Sequence, residues 1–201
     1  SDAIPEWFWD QSAPTLQFLN LSYNHIYGIL PDLSLKFSAL PNIDLSFNNF
    51  TGAVPFFPSD VIVLDLSKNM FLGSISFLCN TTALVFLDLS DNLLSGQLPD
   101  CWYLKQLAVL DLANNNLSGK IPSSMGSLNW LQTLHLRNNS FIGELPASLK
   151  NCTLLRVIDL GENHFSGTLP AWIGDGLSNM VVLSLRSNEF YGSIPLQICH
   201  L

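Results

Sequence analysis

Apolar and polar residues alternate in short blocks that recur along the whole chain. In each block two aliphatic residues flank a single residue, as Leu87 and Leu89 flank Asp88, and an Asn follows three positions later. Alternation with a period of two predicts a β-strand with one buried face. The Asn recurs at steps of 21 to 25 residues, at Asn24, Asn48, Asn69, Asn92, Asn115, Asn139, Asn163 and Asn188. Eight copies predict a repeat protein whose coils stack, because one such strand cannot bury its apolar face alone.

The second half of each block predicts a turn and a return segment. A Gly lies four residues after each Asn, an aliphatic residue two further on, and then Pro in seven of the eight copies, with Ser76 as the exception. Gly permits a turn that a Cβ would obstruct, and Pro makes the residue before it extended. The eight Asn side chains are expected to turn inward and form a ladder with buried loop backbone. The return segments are expected to be short 3₁₀ or irregular turns.

Segments such as "FLDLSDNLLSGQLPDCW" and "LSLRSNEFYGSIPLQIC" resemble the plant-type leucine-rich repeat. The resemblance implies a leucine-rich-repeat solenoid, α/β by convention, wound as a right-handed superhelix. Its parallel β-sheet lines the concave side, and short 3₁₀ or irregular turns form the convex side. Residues 1–201 are expected to be a single block of eight full repeat motifs with a partial coil at each end. We expect it to be an uncapped interior fragment of a longer ectodomain.

More narrowly, these segments look like the late ectodomain repeats of plant receptor-like proteins, in the group of microbial xylanase and glycoside-hydrolase receptors. The resemblance implies an extracellular module that binds a protein or peptide on its concave face, in innate immunity. It further implies associated receptor kinases as partners and a place on the outer face of the plasma membrane or in the cell wall. A membrane segment would lie outside this chain. A soluble cell-wall inhibitor, similar to polygalacturonase-inhibiting proteins, is the alternative.

Charge and cysteine spacing narrow the class of protein. The chain has 8 Lys and Arg against 16 Asp and Glu, with a net charge of -8, which argues against a nucleic-acid-binding protein. Four Cys and six Asn-x-Ser/Thr sequons favour the secretory route.

Cys79 and Cys101 are almost one repeat apart, so we expect them to lie on adjacent coils and form a disulfide. Cys152 and Cys199 are two coils apart, too far to bond, and are expected to be free and buried.

The six sequons begin at Asn20, Asn49, Asn80, Asn116, Asn138 and Asn151. Asn49, Asn80, Asn116 and Asn151 are expected to fall outside the strands and to be glycan candidates. Asn20 is expected to face the concave sheet, where a sugar would shield the surface from a partner.

The sequence offers no catalytic or metal-binding motif, and we expect neither a catalytic residue, nor a metal, nor a cofactor. One candidate is the residue between the paired aliphatics, which is usually Asp. Neighbouring carboxyls one strand apart would match the spacing of a retaining glycosidase. Because this Asp recurs in coil after coil, it defines no unique cleft, and we interpret it as a structural or solvated stripe.

Departures from the repeat predict where a ligand binds. Tyr23 and Phe47 place aromatic rings just beyond the strands, and Phe18 and Phe86 belong to an apolar column that directly precedes the first paired aliphatic residue and faces the concave side. That column fits either a partner-binding strip or side-by-side packing of neighbouring strands.

In the C-terminal half, charged residues replace the usual Asp and Ser. Arg137 and Arg186 share a column about 10 Å apart, with Gly161 between them. We predict a gap there that receives an acidic or backbone-carbonyl group of a partner, bordered by His135 and Glu162 and underlain by Asp159.

Overall fold

A computed structural model describes residues 3–11, 16–37, 41–103 and 106–201. Each coil contributes one strand to each of two parallel eight-stranded sheets. Sheet 1 consists of β1 (Phe18–Asn20), β3 (Asn42–Asp44), β5 (Val63–Asp65), β7 (Phe86–Asp88), β9 (Val109–Asp111), β11 (Thr133–His135), β13 (Val157–Asp159) and β15 (Val182–Ser184). Sheet 2 consists of β2 (Tyr27–Ile29), β4 (Asn49–Ala53), β6 (Met70–Gly73), β8 (Leu93–Gln97), β10 (Asn116–Gly119), β12 (Ser140–Gly143), β14 (His164–Thr168) and β16 (Glu189–Tyr191).

Sheet 1 is the sheet that the alternating residues predict. Equivalent residues of successive coils are register partners, so that Asp65 pairs with Asp88 and Asp88 with Asp111. The middle residue of each strand points inward, and Leu64, Leu87 and Leu110 are fully buried. The strands therefore present the polar residue of each block, together with the residue before the first aliphatic, on the outer face.

Sheet 2 was not predicted as a sheet; the sequence indicated only an extended aliphatic-Pro pair. Its strands begin at the residue after the recurring Asn, except that β2 begins at Tyr27, three residues after Asn24. Their inward residues stack as a second apolar column, with Phe50 against Phe71 and Phe141 against Phe165. The recurring Gly lies within or directly after the strand of sheet 2, with φ between +81° and +113° in all eight coils. An L-residue rarely adopts that conformation, which explains why the position is always Gly.

The recurring Asn side chains join the two sheets. Asn92 is buried, and its Nδ2 donates to the carbonyls of Leu66, Leu89 and Ser90 at 3.0–3.1 Å. Its Oδ1 accepts the backbone N–H of Phe71 in the preceding coil. The same contacts recur from Asn48 to Asn188. The side chain of Asn24, beside the edge strand β1, donates to Leu21 and Ser22 of its own coil.

Short helices close the coils on the side away from sheet 1. 3₁₀ helices span Ser76–Asn80, Ser123–Ser127, Ala147–Asn151 and Leu196–His200. Two segments are α-helical rather than 3₁₀ or irregular, α1 (Glu6–Gln11) and α2 (Trp172–Gly176). Neighbouring helices pack so closely that a Cβ on Gly126 would lie 2.4 Å from the carbonyl oxygen of Ser148. Within the described ranges, no helix has the length and apolarity needed to cross a bilayer.

The four cysteines form one disulfide and leave two free thiols. Cys79 and Cys101 form a disulfide with their Cα atoms 5.5 Å apart. Cys152 is free and buried, and burial raises the pKa of its thiol to about 11. Cys199 is free but exposed, so the prediction that it is buried is wrong. It lies in the last coil of the chain, which has a neighbouring coil on one side only.

Candidate binding surface

The Asp stripe on sheet 1 has a backbone role in each turn that leaves the sheet. The Oδ1 atoms of Asp44, Asp65 and Asp88 accept the N–H of the residue two positions on, at 2.8–3.0 Å. Asp111 and Asp159 do the same. These carboxylates therefore hold the turn in every such coil, as expected for a structural stripe. Among the described residues, no group of three or more His, Cys, Asp or Glu is placed to hold a metal ion.

Beyond each turn, one residue is held in the left-handed conformation. Its φ lies between +53° and +57° in every coil, at Tyr23, Phe47, Lys68, Asp91, Asn114, Asn138, Glu162 and Ser187. Asn and Asp tolerate this region best, whereas bulky side chains are uncommon there. Bonds between coils fix the backbone, as when Phe47 N–H donates to the carbonyl of Ser67. The repeat thus sets the backbone at this position and leaves the side chain free to vary, which the sequence pattern did not reveal.

Tyr23 and Phe47 occupy this left-handed position in adjacent coils. Their rings stack with centroids 4.0 Å apart and planes 16° apart. The ammonium of Lys68, in the next coil, lies 4.3 Å from the centroid of Phe47, a cation–π contact. These residues line a shallow cleft of about 350 Å³. Lys68 was not selected from the sequence. It has the same position in the third copy as Tyr23 and Phe47 have in the first two, and this equivalence was the signal that could have found it.

The apolar column consists of the first residues of the strands in sheet 1. Phe86 is half-buried, and so are its register partners Val63 and Val109. Phe18 is 62 % exposed, because its strand β1 has a neighbour on one side only. The half-burial of the inner members fits side-by-side packing, and the exposed Phe18 stays a candidate for partner binding.

The predicted gap over Gly161 is closed. Oε1 of Glu162 lies between the two cations and accepts from Nη2 of Arg137 at 3.0 Å and from Nη2 of Arg186 at 2.6 Å. The prediction placed Glu162 at the border of an open gap; in the structure Glu162, in the left-handed position, reaches across it to both guanidiniums. Nε of Arg137 is nevertheless buried and has no hydrogen-bond partner in the described part of the chain. We call Arg137, Glu162 and Arg186 the charged cluster.

His135 and Asp159 border the charged cluster. His135 replaces the stripe Asp, and its Nδ1 lies 2.8 Å from Oδ2 of Asp111, a partner that the sequence reasoning missed. This hydrogen bond raises the pKa of His135. Asp159 accepts the N–H of Gly161. Burial raises the pKa of Asp65, and it raises the pKa of Asp88 to about 6, so the charge of Asp88 changes in mildly acidic solution.

The six sequons lie in four different places. Nδ2 of Asn20 donates to Asp44 on sheet 1, and Nδ2 of Asn138 donates to Asn114 in the left-handed column. Asn80 and Asn151 end 3₁₀ helices, outside the strands. The prediction that Asn49 and Asn116 fall outside the strands is wrong, because each is the first residue of a strand in sheet 2.

Comparison with known families identifies the repeat. The Leucine Rich Repeat family model matches residues 15–36, 83–103, 106–128, 130–152 and 154–175, which together exceed half of the chain. Among curated proteins, Receptor-like protein EIX2 of tomato (Solanum lycopersicum) is 48% identical over 82 residues. That alignment covers 41% of this chain and 8% of the tomato protein, so the chain matches less than a tenth of the relative's length.

Solved structures share the fold over nearly the whole chain. The plant peptide hormone receptor RGFR1, in complex with RGF2, aligns with a TM-score of 0.86 and 29% identity, over 99% of this chain and 32% of the receptor chain. The ectodomain of the Arabidopsis receptor kinase HAESA, in complex with an IDA peptide hormone, aligns with a TM-score of 0.81 and 34% identity, over 88% of this chain and 30% of its own.

Proposed function

The chain belongs to the leucine-rich-repeat family, and from this we propose that it is a ligand-recognition block of a plant cell-surface receptor-like protein. It binds an extracellular protein or peptide through the outer face of sheet 1 and acts in innate immunity together with associated receptor kinases. The similarity to a tomato receptor-like protein and to two plant receptors bound to peptide hormones supports recognition as the role. The block is non-catalytic in this proposal, since its carboxylates serve the turns.

The charged cluster is the observation on which the binding site rests. No residue of the cluster is required by the repeat, which places Ser or Ala at the positions of Arg137 and Arg186 in most coils. Two guanidiniums share one carboxylate, so the cluster has an excess of donors and a net charge of +1 on an acidic chain. The side chains are 42%, 35% and 56% exposed for Arg137, Glu162 and Arg186. A partner can therefore reach them.

These features favour a ligand that brings an acidic group or backbone carbonyls. A guanidinium has five N–H donors in a planar fork, and Glu162 takes one from each Arg through Nη2. An incoming carboxylate can use the remaining donors, while Glu162 holds the two side chains in place before the ligand arrives. Hydrogen bonds between a guanidinium and a bound carboxylate are partly shielded from water by the partner. Each Arg is therefore expected to act as an interface anchor.

The test uses the ectodomain displayed on cells and a panel of synthetic secreted plant peptides and purified microbial cell-wall hydrolases. Arg137→Ala and Arg186→Ala are expected to weaken binding of any partner found with the parent by about 30-fold or more. Glu162→Gln is expected to strengthen it, because removing the internal negative charge makes both guanidiniums better donors to an acidic partner.

Arg156→Ala is the matched control. Arg156 is exposed, belongs to the same coil as Asp159 and lies ahead of β13, at the opposite end of the strand from the charged cluster. It is expected to bind the partner as the parent does. Equal binding by the parent, Arg137→Ala and Arg186→Ala, with the fold intact by circular dichroism, would place recognition elsewhere on the chain.

A further inference from the structure

We propose that Asn49 carries an N-linked glycan whose first N-acetylglucosamine packs against Tyr27 on the outer face of sheet 2. Asn49 begins the sequon Asn49-Phe50-Thr51 on β4, with Phe50 buried and Asn49 and Thr51 on the outer face. Its side chain is exposed and makes no hydrogen bond to any of the described residues. This inference depends on passage through the secretory route and not on the ligand of sheet 1.

The modification is a transfer to the side-chain amide. A lipid-pyrophosphate-linked oligosaccharide is the donor; the bond from C1 of its first sugar to the pyrophosphate oxygen breaks, and a bond from C1 to Nδ2 of Asn49 forms. Nδ2 gives up one proton, and the lipid pyrophosphate leaves. No oxidation or reduction takes place.

The surroundings of Asn49 are apolar on this face. Tyr27 is its register partner on β2, one strand spacing of about 4.8 Å away, and is 47% exposed. The next outward residue, Thr51, pairs with Ile29 on one side and Met70 on the other. An N-acetylglucosamine ring has an apolar C–H face that can lie on the aromatic ring and the aliphatic side chains. Covering them removes an exposed apolar patch from water.

A second sequon gives a matched comparison inside the same sheet. Asn116 is likewise the first residue of its strand, is exposed and lacks a side-chain hydrogen bond to any described residue. Its register partner is Ser95, and the outward Ser118 pairs with Gln97 and Ser140. The two sequons thus share backbone position and differ in their register partner, which is Ser95 for Asn116 and Tyr27 for Asn49. The exposed Leu93 lines a shallow cleft with Asn116, but a sugar on Asn116 has no aromatic ring as register partner to cover.

Asn49 also lines the cleft formed by Tyr23, Phe47 and Lys68. A glycan at Asn49 therefore crowds the aromatic pair on the neighbouring edge of sheet 1. The charged cluster, several coils away, stays open.

The test secretes the 201-residue chain from eukaryotic cells and combines glycopeptide mass spectrometry with thermal unfolding. Asn49 is expected to be occupied, and Asn49→Gln is expected to lower Tm by about 2–4 °C. Asn116→Gln is expected to change Tm by less than about 1 °C. In a Tyr27→Ser background, Asn49→Gln is expected to lose its effect, because the packing surface is gone. Trimming all glycans to the first N-acetylglucosamine is expected to preserve the Tm of the parent.

The outcomes separate clearly. An unoccupied Asn49 in the secreted chain overturns the proposal, and mass spectrometry decides this even for a variant that unfolds. If Asn49 is occupied but the parent and Asn49→Gln have equal Tm, the packing on Tyr27 is overturned. It is also overturned if Asn49→Gln lowers Tm by the same amount in the parent and in the Tyr27→Ser background. A loss of Tm that requires both the glycan on Asn49 and the ring of Tyr27, with no such loss for Asn116→Gln, supports the proposal.

Discussion

Asp88→Asn is expected to stabilise the chain at neutral pH, although it alters a residue of the repeat pattern. The Oδ1 of Asp88 holds the turn by accepting the N–H of Ser90. In the first coil, Asn20 has the same place and accepts the N–H of Ser22 in the same way, at 2.9 Å. An amide therefore preserves the turn and removes only the charge.

The magnitude follows from the pKa of Asp88. Burial, with a smaller contribution from Asp111 and Asp65, raises it from 3.8 to about 6. Between these values the folded chain binds more protons than the unfolded chain, so stability rises as pH falls and is lowest above pH 6. At about 1.4 kcal/mol per pKa unit, the charged carboxylate costs about 3 kcal/mol at neutral pH. Contact with solvent reduces this to about 1–2 kcal/mol.

Thermal unfolding at pH 7.5 and pH 5 measures the effect. Asp88→Asn is expected to raise Tm at pH 7.5 by about 3–6 °C and to reduce the gain that the parent shows on acidification. A residual gain is expected from His135, whose raised pKa favours the folded state as pH falls. Asp88→Ala is the control; it also removes the charge but leaves the N–H of Ser90 without an acceptor, and should be about 1–3 kcal/mol less stable than Asp88→Asn. A parent-like Tm and pH profile for Asp88→Asn would refute the reasoning.

Three further predictions concern the framework. Asn92→Ala is expected to lower the free energy of unfolding by about 3 kcal/mol or more, measured by urea denaturation, because a buried ladder amide and its backbone partners lose their hydrogen bonds; an unchanged midpoint would contradict the ladder's role. Reducing the Cys79–Cys101 disulfide is expected to cost about 3 kcal/mol, since it closes a loop of 22 residues, and equal midpoints with and without reductant would contradict this. Gly126→Ala is expected to prevent cooperative unfolding or lower Tm markedly in a calorimeter, because its Cβ would meet the carbonyl of Ser148.

The sequence predicts the framework well because its physical causes are local. Alternation around Leu87 and Leu89 determines which strand face is buried, and the spacing of Cys79 and Cys101 predicts their pairing. Sheet 2 was missed because it has no alternation signal of its own. Its strands form because the ladder Asn and the Gly with positive φ align the short segments between them across coils, a property of stacking and not of any single copy.

The candidate site was located only in part. Column positions identified Arg137, Glu162 and Arg186 as departures from the repeat. Their pairing depends on the left-handed backbone of Glu162, which no side-chain pattern reveals. The same conformation explains the contact between Phe47 and Lys68, because neighbouring coils bring residues of this column face to face. Column positions alone therefore could not predict which side chains of neighbouring coils contact one another.

The sequence of the complete transcript tests the central claim, that this block belongs to a cell-surface receptor-like protein, most directly. The account predicts leucine-rich repeats on both sides of the 201 residues, a signal peptide before them, and a single apolar membrane helix of about 20 residues with a short tail after them. A frame that ends in a capping repeat without a membrane helix would contradict the receptor and support a soluble cell-wall inhibitor instead.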